Sequence, residues 1–211
     1  MKGLVIIGAR GFGREVSEAA KDCIGFGTEF VVKGFLDDDP HALDTTPGYP
    51  PILGPVEDYQ PAGDDVFACG LGAPRWQKHY ADIILQKGGR FINLIHRTAT
   101  IGKNTVLGSG CIILRGVDIS CDITLGDFVT CQAYVVMGHD VRIGSFCHVG
   151  ARSFFGGYSR VGDLTTIHPG SGILPHVTVG NGCVIGAGSV VIKKVKDGET
   201  IYGNPAKVLK Y

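Results

Sequence analysis

The sequence predicts a protein of two domains, an α/β domain followed by a parallel β-helix, and two observations support this prediction. From Ile95 to Val191 an aliphatic or soft apolar residue recurs at every sixth position, and a smaller residue follows each one four positions later. A six-residue period fits neither a helix nor an alternating strand; it is typical of coils built from three hexapeptides, each a short strand plus a corner. Upstream of residue 94 the pattern is instead mixed α/β.

The first domain, residues 1–94, is predicted to open with a strand, a glycine-rich turn and a helix. Residues 2–7 are mostly apolar, residues 8–13 read GARGFG, and residues 14–22 have helical composition. Such a turn lets backbone N–H groups and a helix N-terminus approach a phosphate. The spacing is GxxGxG instead of the usual GxGxxG, which disfavours a nicotinamide cofactor. A tight turn that binds nothing remains the alternative.

The rest of the first domain is predicted to complete a nucleotide crevice. The predicted elements are a strand over 30–36, a Pro- and Gly-rich surface connection over 40–61, a strand over 66–69, a helix over 75–87 and a segment over 91–95 that leads into the coil. The second strand ends in Asp37, Asp38 and Asp39, and the third ends at Gly70. Strand ends that meet with glycines and charged groups suit a nucleotide.

The second domain, residues 95–211, needs corners, and the sequence supplies residues suited to them. Three positions after large residues come types that tolerate a positive φ: Asn104, Gly110, Gly116, Asp122, Asp140, Gly170, Gly182 and Gly188. Burying one aliphatic side chain contributes about 1.5–3 kcal/mol. Ordering six residues costs about 1–2 kcal/mol each. A single coil is therefore unstable alone, and stability must come from stacked coils and end caps.

Charge and cysteine usage limit the expected partners and compartment. Twenty basic and twenty acidic residues balance, with no basic block, so we expect neither nucleic-acid binding nor an anionic membrane as partner. The seven cysteines lack CxxC spacing, and Cys111, Cys131, Cys147 and Cys183 fall in the inward columns. With no signal peptide or spanning segment recognised, we expect a cytoplasmic protein with reduced core cysteines.

The order of motifs resembles a known family. GARGFGREV, GFLDDD, CGLG, INLIH and then hexapeptides resemble the nucleotide-sugar acetyltransferases grouped with bacterial sialic-acid O-acetyltransferases and with the N-acetyltransferases of bacillosamine- or perosamine-type glycans. The resemblance covers nearly the whole chain. It implies a Rossmann-like first domain that holds a nucleotide sugar and a left-handed coil. It also implies a homotrimer with an acetyl-CoA slot between neighbouring coils. The handedness is implied by the resemblance alone, because periodicity does not determine it.

The candidate catalytic pair is His139 and Asp140. His139 lies two positions after the inward Met137 and is therefore expected on the outside near a corner. The resemblance implies that His139 is the general base and that Asp140 raises its basicity, and a histidine that titrates near neutrality suits this task. A plain surface histidine, and a purely conformational role for Asp140 in the corner column, are the alternatives.

The resemblance also implies two sets of substrate contacts. The implied acetyl-CoA contacts are His148, Pro169, Ala187 and, in a C-terminal segment that resembles Gly-x-Pro-Ala-Lys, Lys207. The implied nucleotide-sugar contacts are Arg10, Gly11, Phe12, Asp37, Asp38, Gly70 and His79. A family member with histidine at the position of Phe12 could bond the sugar there, so Phe12 leaves the sugar undefined. The alternatives without a ligand are an ordinary exposed ring edge for His148 and, for the segment that contains Lys207, a simple C-terminal cap.

The expected function is acetyl-CoA-dependent N-acetylation of a nucleotide-linked 4-amino sugar in bacterial surface-glycan biosynthesis, with no metal. O-acetylation of a sugar hydroxyl, as in sialic-acid modification, is the alternative within the class. A non-catalytic β-helix that binds a nucleotide sugar is an alternative from a different class. A γ-type carbonic anhydrase shares the left-handed coil but needs zinc-binding histidines five positions apart, and no HxxxxH occurs.

Overall fold

The computed structural model describes residues 1–209. It divides into two compact units, Met1–Arg97 and a second that begins at Thr98. The first unit is a small α/β fold and the second is a left-handed parallel β-helix of about six turns. The predicted fold class is therefore confirmed.

A three-stranded parallel sheet forms the centre of the first unit. Its elements are β1 (Lys2–Ile7), α1 (Gly11–Ala20), β2 (Phe30–Leu36), β3 (Asp65–Cys69), α2 (Pro74–Gln86) and β4 (Leu94–Ile95). The sheet order is β2-β1-β3 with both pairings parallel. Leu4, Val5 and Ile6 of the central strand are fully buried, as the continuous apolar run of a parallel strand requires.

The predicted boundaries of α1, β3 and α2 differ from the observed ones by one to three residues. The largest difference is at the start of α1, which begins at Gly11 because Arg10 already has the extended backbone of an N-cap residue (φ −80, ψ −166). Within the segment over 91–95, Leu94–Ile95 forms a strand and Phe91 makes a bridge with Phe67. The glycine turn thus leads into the helix earlier than composition suggests.

The second unit is a succession of short strands with turns between them. They are β5 (Thr100–Ile101), β6 (Val106–Leu107), β7 (Ile112–Ile113), β8 (Asp118–Ile119), β9 (Thr124–Leu125), β10 (Thr130–Cys131), β11 (Val136–Met137), β12 (Arg142–Ile143), β13 (His148–Val149), β14 (Phe154–Phe155), β15 (Arg160–Val161), β16 (Thr166–Ile167), β17 (Gly172–Ile173), β18 (Thr178–Val179), β19 (Val184–Ile185), β20 (Val190–Val191), β21 (Thr200–Tyr202) and β22 (Lys207–Val208).

These strands form three faces. The first face has the order β22-β21-β19-β16-β13-β10-β7, the second β20-β17-β14-β11-β8-β5, and the third β18-β15-β12-β9-β6. From β5 to β20 consecutive strands belong to different faces, and strands of one face pair in parallel from coil to coil, as Thr130 does with His148. Only β22 pairs antiparallel, with β21, among the described strands of the coil.

The inward columns are buried as the hexapeptide pattern predicts. From Ile113 to Val191 no large-column side chain is more than 5% exposed, whereas Ile101, near the start of the coil, is 37% exposed. Two polar members of the small column bond a carbonyl of the following coil: Thr165 Oγ1 donates to Gly180 O (2.9 Å) and Ser171 Oγ donates to Gly186 O (3.0 Å). These hydroxyls replace an aliphatic group without leaving a buried donor unpaired, whereas the buried Ser159 hydroxyl has no such partner among the described residues.

All eight predicted corner residues have a positive φ. The same conformation is also imposed on bulky residues that the pattern did not single out: Phe128, Tyr134, Phe146, Arg152, Tyr158, Leu164 and His176. Some of these side chains stack on each other, as Phe128 does on Phe146 with ring centroids 4.7 Å apart and planes 6° from parallel. Such stacking offsets part of the cost of about 1–2 kcal/mol that this conformation imposes on a residue with a Cβ.

A polar ladder fixes the corner between the third and first faces. The N–H of Ser145 donates to Asp163 Oδ1 (2.7 Å), and the N–H of Asp163 donates to Asn181 Oδ1 (2.9 Å). The column of residues just before this corner consists of glycines, and a Cβ at Gly144 would lie 2.7 Å from the Asp163 nitrogen. The backbone therefore requires glycine there.

We expect Ile143→Asp to prevent soluble folding. Ile143 is 3% exposed within the coil, so the substitution places an unpaired charge among apolar side chains. The neighbouring Arg142 points outward and is exposed, so Arg142→Ala is the matched control and should fold. Soluble yield and thermal melting measure both, and a wild-type melting curve for the Ile143→Asp protein would contradict the assigned register.

Candidate active site

His139 and Asp140 occupy the corner between the second and third faces, in the turn that joins β11 to β12. The His139 Nδ1 lies 2.9 Å from Asp140 Oδ2, and the two side chains are 54% and 38% exposed. Asp140 has φ 60, so it fills a corner position and contacts the histidine at the same time. Because the carboxylate accepts from Nδ1–H, Nε2 is the ring nitrogen left to act on a substrate.

The histidine ring is held by residues one coil later. A Cβ at Gly157 would lie 2.8 Å from both Cε1 and Nε2 of His139, so this glycine makes room for the ring. Tyr158 contacts the ring edge-on, with centroids 5.1 Å apart, and itself stacks on His176 at 5.0 Å. The sequence analysis did not identify Gly157 or Tyr158, because neither is near His139 in the chain; adding one coil to residue 139 would have found them.

Polar side chains also occupy this corner in the coils before His139. The Asn104 amide donates to Asp122 Oδ1 (2.8 Å) and, with a Cys121 hydrogen bond and a smaller contribution from His139, holds the pKa of Asp122 below its ordinary value. The pair of His139 and Asp140 therefore lies in an anionic stretch of the corner.

His148 lies on β13 of the first face, paired on either side with Thr130 and Thr166. It is largely buried, and burial, together with the charge of nearby His168, lowers its pKa to about 4. The ring is therefore neutral at physiological pH. A neutral imidazole can bond a carbonyl oxygen but cannot act as a fixed positive charge.

The other three implied acetyl-CoA contacts lie elsewhere on the coil. Pro169 and Ala187 occupy the corner between the first and second faces in successive coils and are exposed. Pro169 lines a shallow groove of ≈ 450 Å³ with Arg115 and Tyr134. Lys207 is exposed on β22, opposite Tyr202. The coil thus does not gather these residues around His139 within one chain.

The first unit contains a pocket of ≈ 410 Å³ at the carboxyl ends of its strands. Arg10, Asp37, Asp38 and Gly70 line it, as expected for a nucleotide crevice. The remaining lining residues are Ile7, Gly8, Leu36, Asp39, Val56, Leu71 and Tyr80. The pocket therefore combines an apolar floor with an acidic rim.

Hydrogen bonds order the acidic rim. Asp37 accepts from the N–H of Ala9 (2.8 Å) and of Asp39 (3.0 Å), which ties the tip of β2 to the glycine turn. Arg10 forms an ion pair with Asp39 at 2.9 Å. Asp37 therefore shapes the turn, whereas Arg10 and Asp39 are exposed enough to exchange partners.

Asp38 accepts a hydrogen bond of 2.6 Å from the hydroxyl of Tyr80. This bond, with a smaller contribution from burial, raises the pKa of Tyr80 to about 12, so the phenol stays protonated. The sequence analysis did not identify Tyr80, which is 42 residues from Asp38 in the chain. No local sequence pattern links the two residues, so the contact becomes apparent only in the structure.

Three predicted nucleotide-sugar contacts do not line the pocket. Gly11 is exposed at the start of α1 with open space around it, and Phe12 is half-buried. His79 packs edge-on against Trp76 and Tyr80, with centroids 5.8 and 5.0 Å away. The glycine that the turn requires is Gly13, where a Cβ would overlap the carbonyl of Gly8.

Two broader searches cover the described part of the chain. Residues 1–209 contain no group of three or more His, Cys, Asp or Glu side chains placed to hold a metal ion. Over the same residues, neither helix has the length and apolar run that crossing a bilayer requires.

The two units match known families separately. Residues 3–84 match the PglD N-terminal domain, and residues 158–193 match the bacterial transferase hexapeptide (six repeats). The first unit therefore matches a PglD-type N-terminal domain, and the second contains transferase hexapeptide repeats.

Curated relatives share part of the chain. A UDP-3-O-acylglucosamine N-acyltransferase of Caulobacter sp. (strain K31) is 32% identical over 71% of this chain and 40% of its own length. A GDP-perosamine N-acetyltransferase of Escherichia coli O157:H7 is 27% identical over 67% of this chain and 72% of its own. The chain spans less than half the length of the first relative and 46% of a Bacillus pumilus serine acetyltransferase.

Solved structures match from end to end. PerB from Caulobacter crescentus, in complex with CoA and GDP-perosamine, has a TM-score of 0.89 and 28% identity over 100% of this chain and 98% of its own. The acetyltransferase domain of PglB from Neisseria gonorrhoeae FA1090 has a TM-score of 0.88 and 27% identity over 99% and 100%. The predicted resemblance is therefore confirmed: the chain combines a PglD-type N-terminal domain with transferase hexapeptide repeats and is similar over its whole length to these two acetyltransferase structures.

We expect His148 to make stability depend on pH in the acidic range. Its pKa is about 4 against an ordinary 6.5, so the unfolded chain binds more protons between these values and stability falls as pH falls through this window. The slope attributable to this group is at most about 1.4 kcal/mol per pH unit. Chemical denaturation from pH 7.5 to 4 should show a shallower slope for His148→Gln than for wild type.

The same measurement, extended to pH values above about 7.5, is the internal control. The unfolded imidazole is neutral there, so the slopes of wild type and His148→Gln should coincide. Equal slopes between pH 6.5 and 4 would contradict a neutral buried His148.

Proposed function

We propose that the protein transfers the acetyl group of acetyl-CoA to the amino group of a nucleotide-linked 4-amino sugar, in bacterial surface-glycan biosynthesis. The observation that carries this proposal is the outward His139–Asp140 contact of 2.9 Å on a rigid corner of the coil. A crevice in the first unit that suits a nucleotide supports it. Two similar proteins also support it: a relative named GDP-perosamine N-acetyltransferase, and PerB, solved in complex with CoA and GDP-perosamine.

The mechanism is a direct transfer in one active site. The sugar amine attacks the thioester carbonyl, and Nε2 of His139 takes the proton that the nitrogen must lose. Asp140 holds the ring through Nδ1 and stabilises the imidazolium that forms. Backbone N–H groups stabilise the oxyanion of the tetrahedral intermediate. Collapse of this intermediate forms the amide and expels the thiolate of CoA, which the imidazolium protonates, so the protons balance without a metal.

The first unit supplies the affinity for the nucleotide sugar. Asp38 with Tyr80, and Arg10 with Asp39, are the polar groups at the rim of its pocket. A carboxylate at the end of the second strand is placed to accept hydroxyl donors of a ribose. Phe12 offers no hydrogen bond to the sugar, so the identity of the sugar depends on other contacts.

We also propose a homotrimer in the cytoplasm. The second face carries an exposed apolar stripe, Val136, Phe154, Leu174 and Ile192, each 38–46% exposed. A contiguous apolar patch of this kind is typical of an interface. The implied acetyl-CoA contacts Pro169 and Ala187 lie on a different corner from His139, which suits a slot between neighbouring copies. All seven cysteines are free, as expected in a reducing compartment.

A substrate screen tests the reaction class. Purified protein and acetyl-CoA are incubated with UDP-, GDP-, dTDP- and CMP-linked amino and hydroxy sugars, and release of the CoA thiol is measured. We expect release with an amino sugar and a product that resists mild base. A base-labile ester would instead establish O-acetylation, and no release with any sugar would favour the non-catalytic alternative.

We expect His139→Ala to lower turnover by roughly a hundred- to ten-thousand-fold, the usual contribution of a general base. Folding should be unaffected because the ring is half exposed and makes no inward contact. The residual rate should rise with pH, since an amine already deprotonated by solvent needs the base less. Thiol release between pH 6 and 9 measures this, with His41→Ala, an exposed histidine of the first unit, as control. Full activity of His139→Ala would refute the mechanism.

We expect Asp38→Asn to raise the Michaelis constant for the nucleotide sugar by about ten- to a hundredfold, the range for losing a hydrogen bond to a charged group. The constant for acetyl-CoA should stay within about twofold. Asp64→Asn, at an exposed aspartate outside the pocket, is the control. An equal rise in both constants would contradict the assignment of the nucleotide sugar to the first unit.

A further inference from the structure

Lys87 binds a turn of the first unit through a contact that the proposed mechanism does not use. The residue is the C-cap of α2, and its ammonium donates to three main-chain carbonyls. They belong to Val56 (3.4 Å), Tyr59 (3.1 Å) and Glu57. Among residues 1–209 Lys87 forms no ion pair with a carboxylate. An ammonium has three N–H donors, so the turn over residues 56–59 takes up the donor capacity of this side chain.

The three carbonyls converge on one point, where a positive charge stabilises them. The negative ends of their dipoles face one another, and the ammonium offsets this repulsion. The turn has few other hydrogen bonds. Within residues 1–209 its main-chain donors are the N–H of Val56, to Asp38 Oδ1 (3.3 Å), and the N–H of Tyr59, to Pro55 O (3.2 Å). The Lys87 side chain therefore supplies most of the hydrogen bonds that fix this turn.

The turn contributes to the wall of the pocket in the first unit. Val56 lines this pocket and is 2% exposed. Its N–H donates to Oδ1 of Asp38, whereas Oδ2 of the same carboxylate accepts from the Tyr80 hydroxyl at 2.6 Å. Tyr80 belongs to α2 and Lys87 follows its last residue, so this one helix supports Asp38 from both sides. The position of Asp38 therefore depends on Lys87 through Val56.

The far end of the turn has a separate anchor. The Tyr59 hydroxyl donates to Asp65 Oδ2 (2.7 Å), and the Lys33 ammonium donates to Asp65 Oδ1 (2.6 Å). The Asp65 side chain is fully buried at the start of β3. This network joins the turn to the sheet without Lys87. Removal of the Lys87 ammonium should therefore loosen Val56 and leave the sheet in place.

We propose that Lys87 is a positioning residue for the nucleotide sugar: its ammonium fixes the turn over residues 56–59, so that Val56 and Asp38 keep the pocket in its binding shape before the ligand arrives. The inference rests on the proposed binding of the nucleotide sugar in the first unit. Lys87 itself does not line the pocket and acts through the turn. A wall that is already ordered removes part of the ordering cost that binding would otherwise include.

Calorimetry tests the proposal. UDP, GDP, dTDP and CMP and, separately, CoA are titrated into wild type, Lys87→Ala and Lys21→Ala. We expect Lys87→Ala to weaken the nucleotide that wild type binds most tightly by about tenfold, the order of effect of losing a hydrogen bond to a charged group. Its affinity for CoA should stay within about twofold. Lys21 is the matched control, because it is the C-cap residue of α1 and its ammonium pairs with Glu18; Lys21→Ala should bind every ligand as wild type does.

Chemical rescue separates lost hydrogen bonds from a general effect of charge. Lys87 is half-buried, so its truncation leaves a site that small cations from solvent can reach. Ammonium chloride supplies N–H donors and should restore nucleotide binding to Lys87→Ala. Tetramethylammonium chloride at the same ionic strength has no N–H donor and should not restore it. Equal effects of the two salts would overturn the inference, because the carbonyls would then not be the groups that Lys87 serves.

The outcomes separate this inference from the proposed function. If Lys87→Ala binds nucleotide as wild type does, or weakens nucleotide and CoA alike, the inference is overturned and the proposed function is unaffected. If Lys87→Ala weakens nucleotide alone but wild type acetylates no sugar in the substrate screen, the inference stands and the proposed function fails. If wild type binds none of the four nucleotides, both fail.

Melting temperatures check that the variants fold. Lys87→Gln is the second variant if Lys87→Ala does not fold, since it keeps two N–H donors without the charge, and it should also weaken nucleotide binding but not CoA binding. If neither variant folds, Lys87 supports the whole unit, and the inference is overturned.

Discussion

The parallel hydrogen bonds between coils constrain everything else in the second unit. Before the last coil they place each residue over the one eighteen positions later, as with Thr130 and His148 on the first face or Ser145 and Asp163 at a corner. A side chain must therefore fit its neighbours in the coils before and after it. This single register produces the buried columns, the polar ladder and the column of glycines beside that ladder. The imidazole of His139 obeys it too, because the residue that follows it by one coil is a glycine.

The geometry of the corners explains why the proposed catalytic pair lies where it does. A coil has inward positions, which must be apolar or small, and outward strand positions, which lie on a flat face. Only at a corner do two consecutive residues project outward from a backbone that is hydrogen-bonded to the coils on both sides. Here the Asp140 N–H donates to Cys121 O in the coil before, and His139 O accepts from the Tyr158 N–H in the coil after. His139 and Asp140 occupy such a pair. The corner therefore holds imidazole and carboxylate in contact before any substrate binds, and a fixed geometry of this kind lowers the cost of the proposed proton transfer.

Most of the fold could be predicted from the sequence, because a six-residue period and apolar strand runs are local patterns. The limits of β1 and β2, the buried columns and the outward position of His139 all follow from such patterns. Contacts between distant residues do not. Tyr80 reaches Asp38 only because α2 packs beside the end of β2, and nothing in either segment signals the other. The positive φ of Phe128 and its stacked neighbour Phe146 was missed for a related reason: residue type normally argues against this conformation, and the coil imposes it regardless.

The three faces show how one scaffold can carry different surfaces. The inward columns are similar on every face, whereas the position after the large residue is glycine throughout the third face but varies on the second, where it includes Ser120, Leu174 and Ile192. An outward substitution changes stability by little, usually within about 0.5 kcal/mol, whereas an inward one removes buried contacts in two coils at once. Surface chemistry can therefore vary without loss of the coil. The glycines of the third face are the exception to this freedom, because a Cβ at Gly144 would lie 2.7 Å from the backbone nitrogen of Asp163 in the next coil.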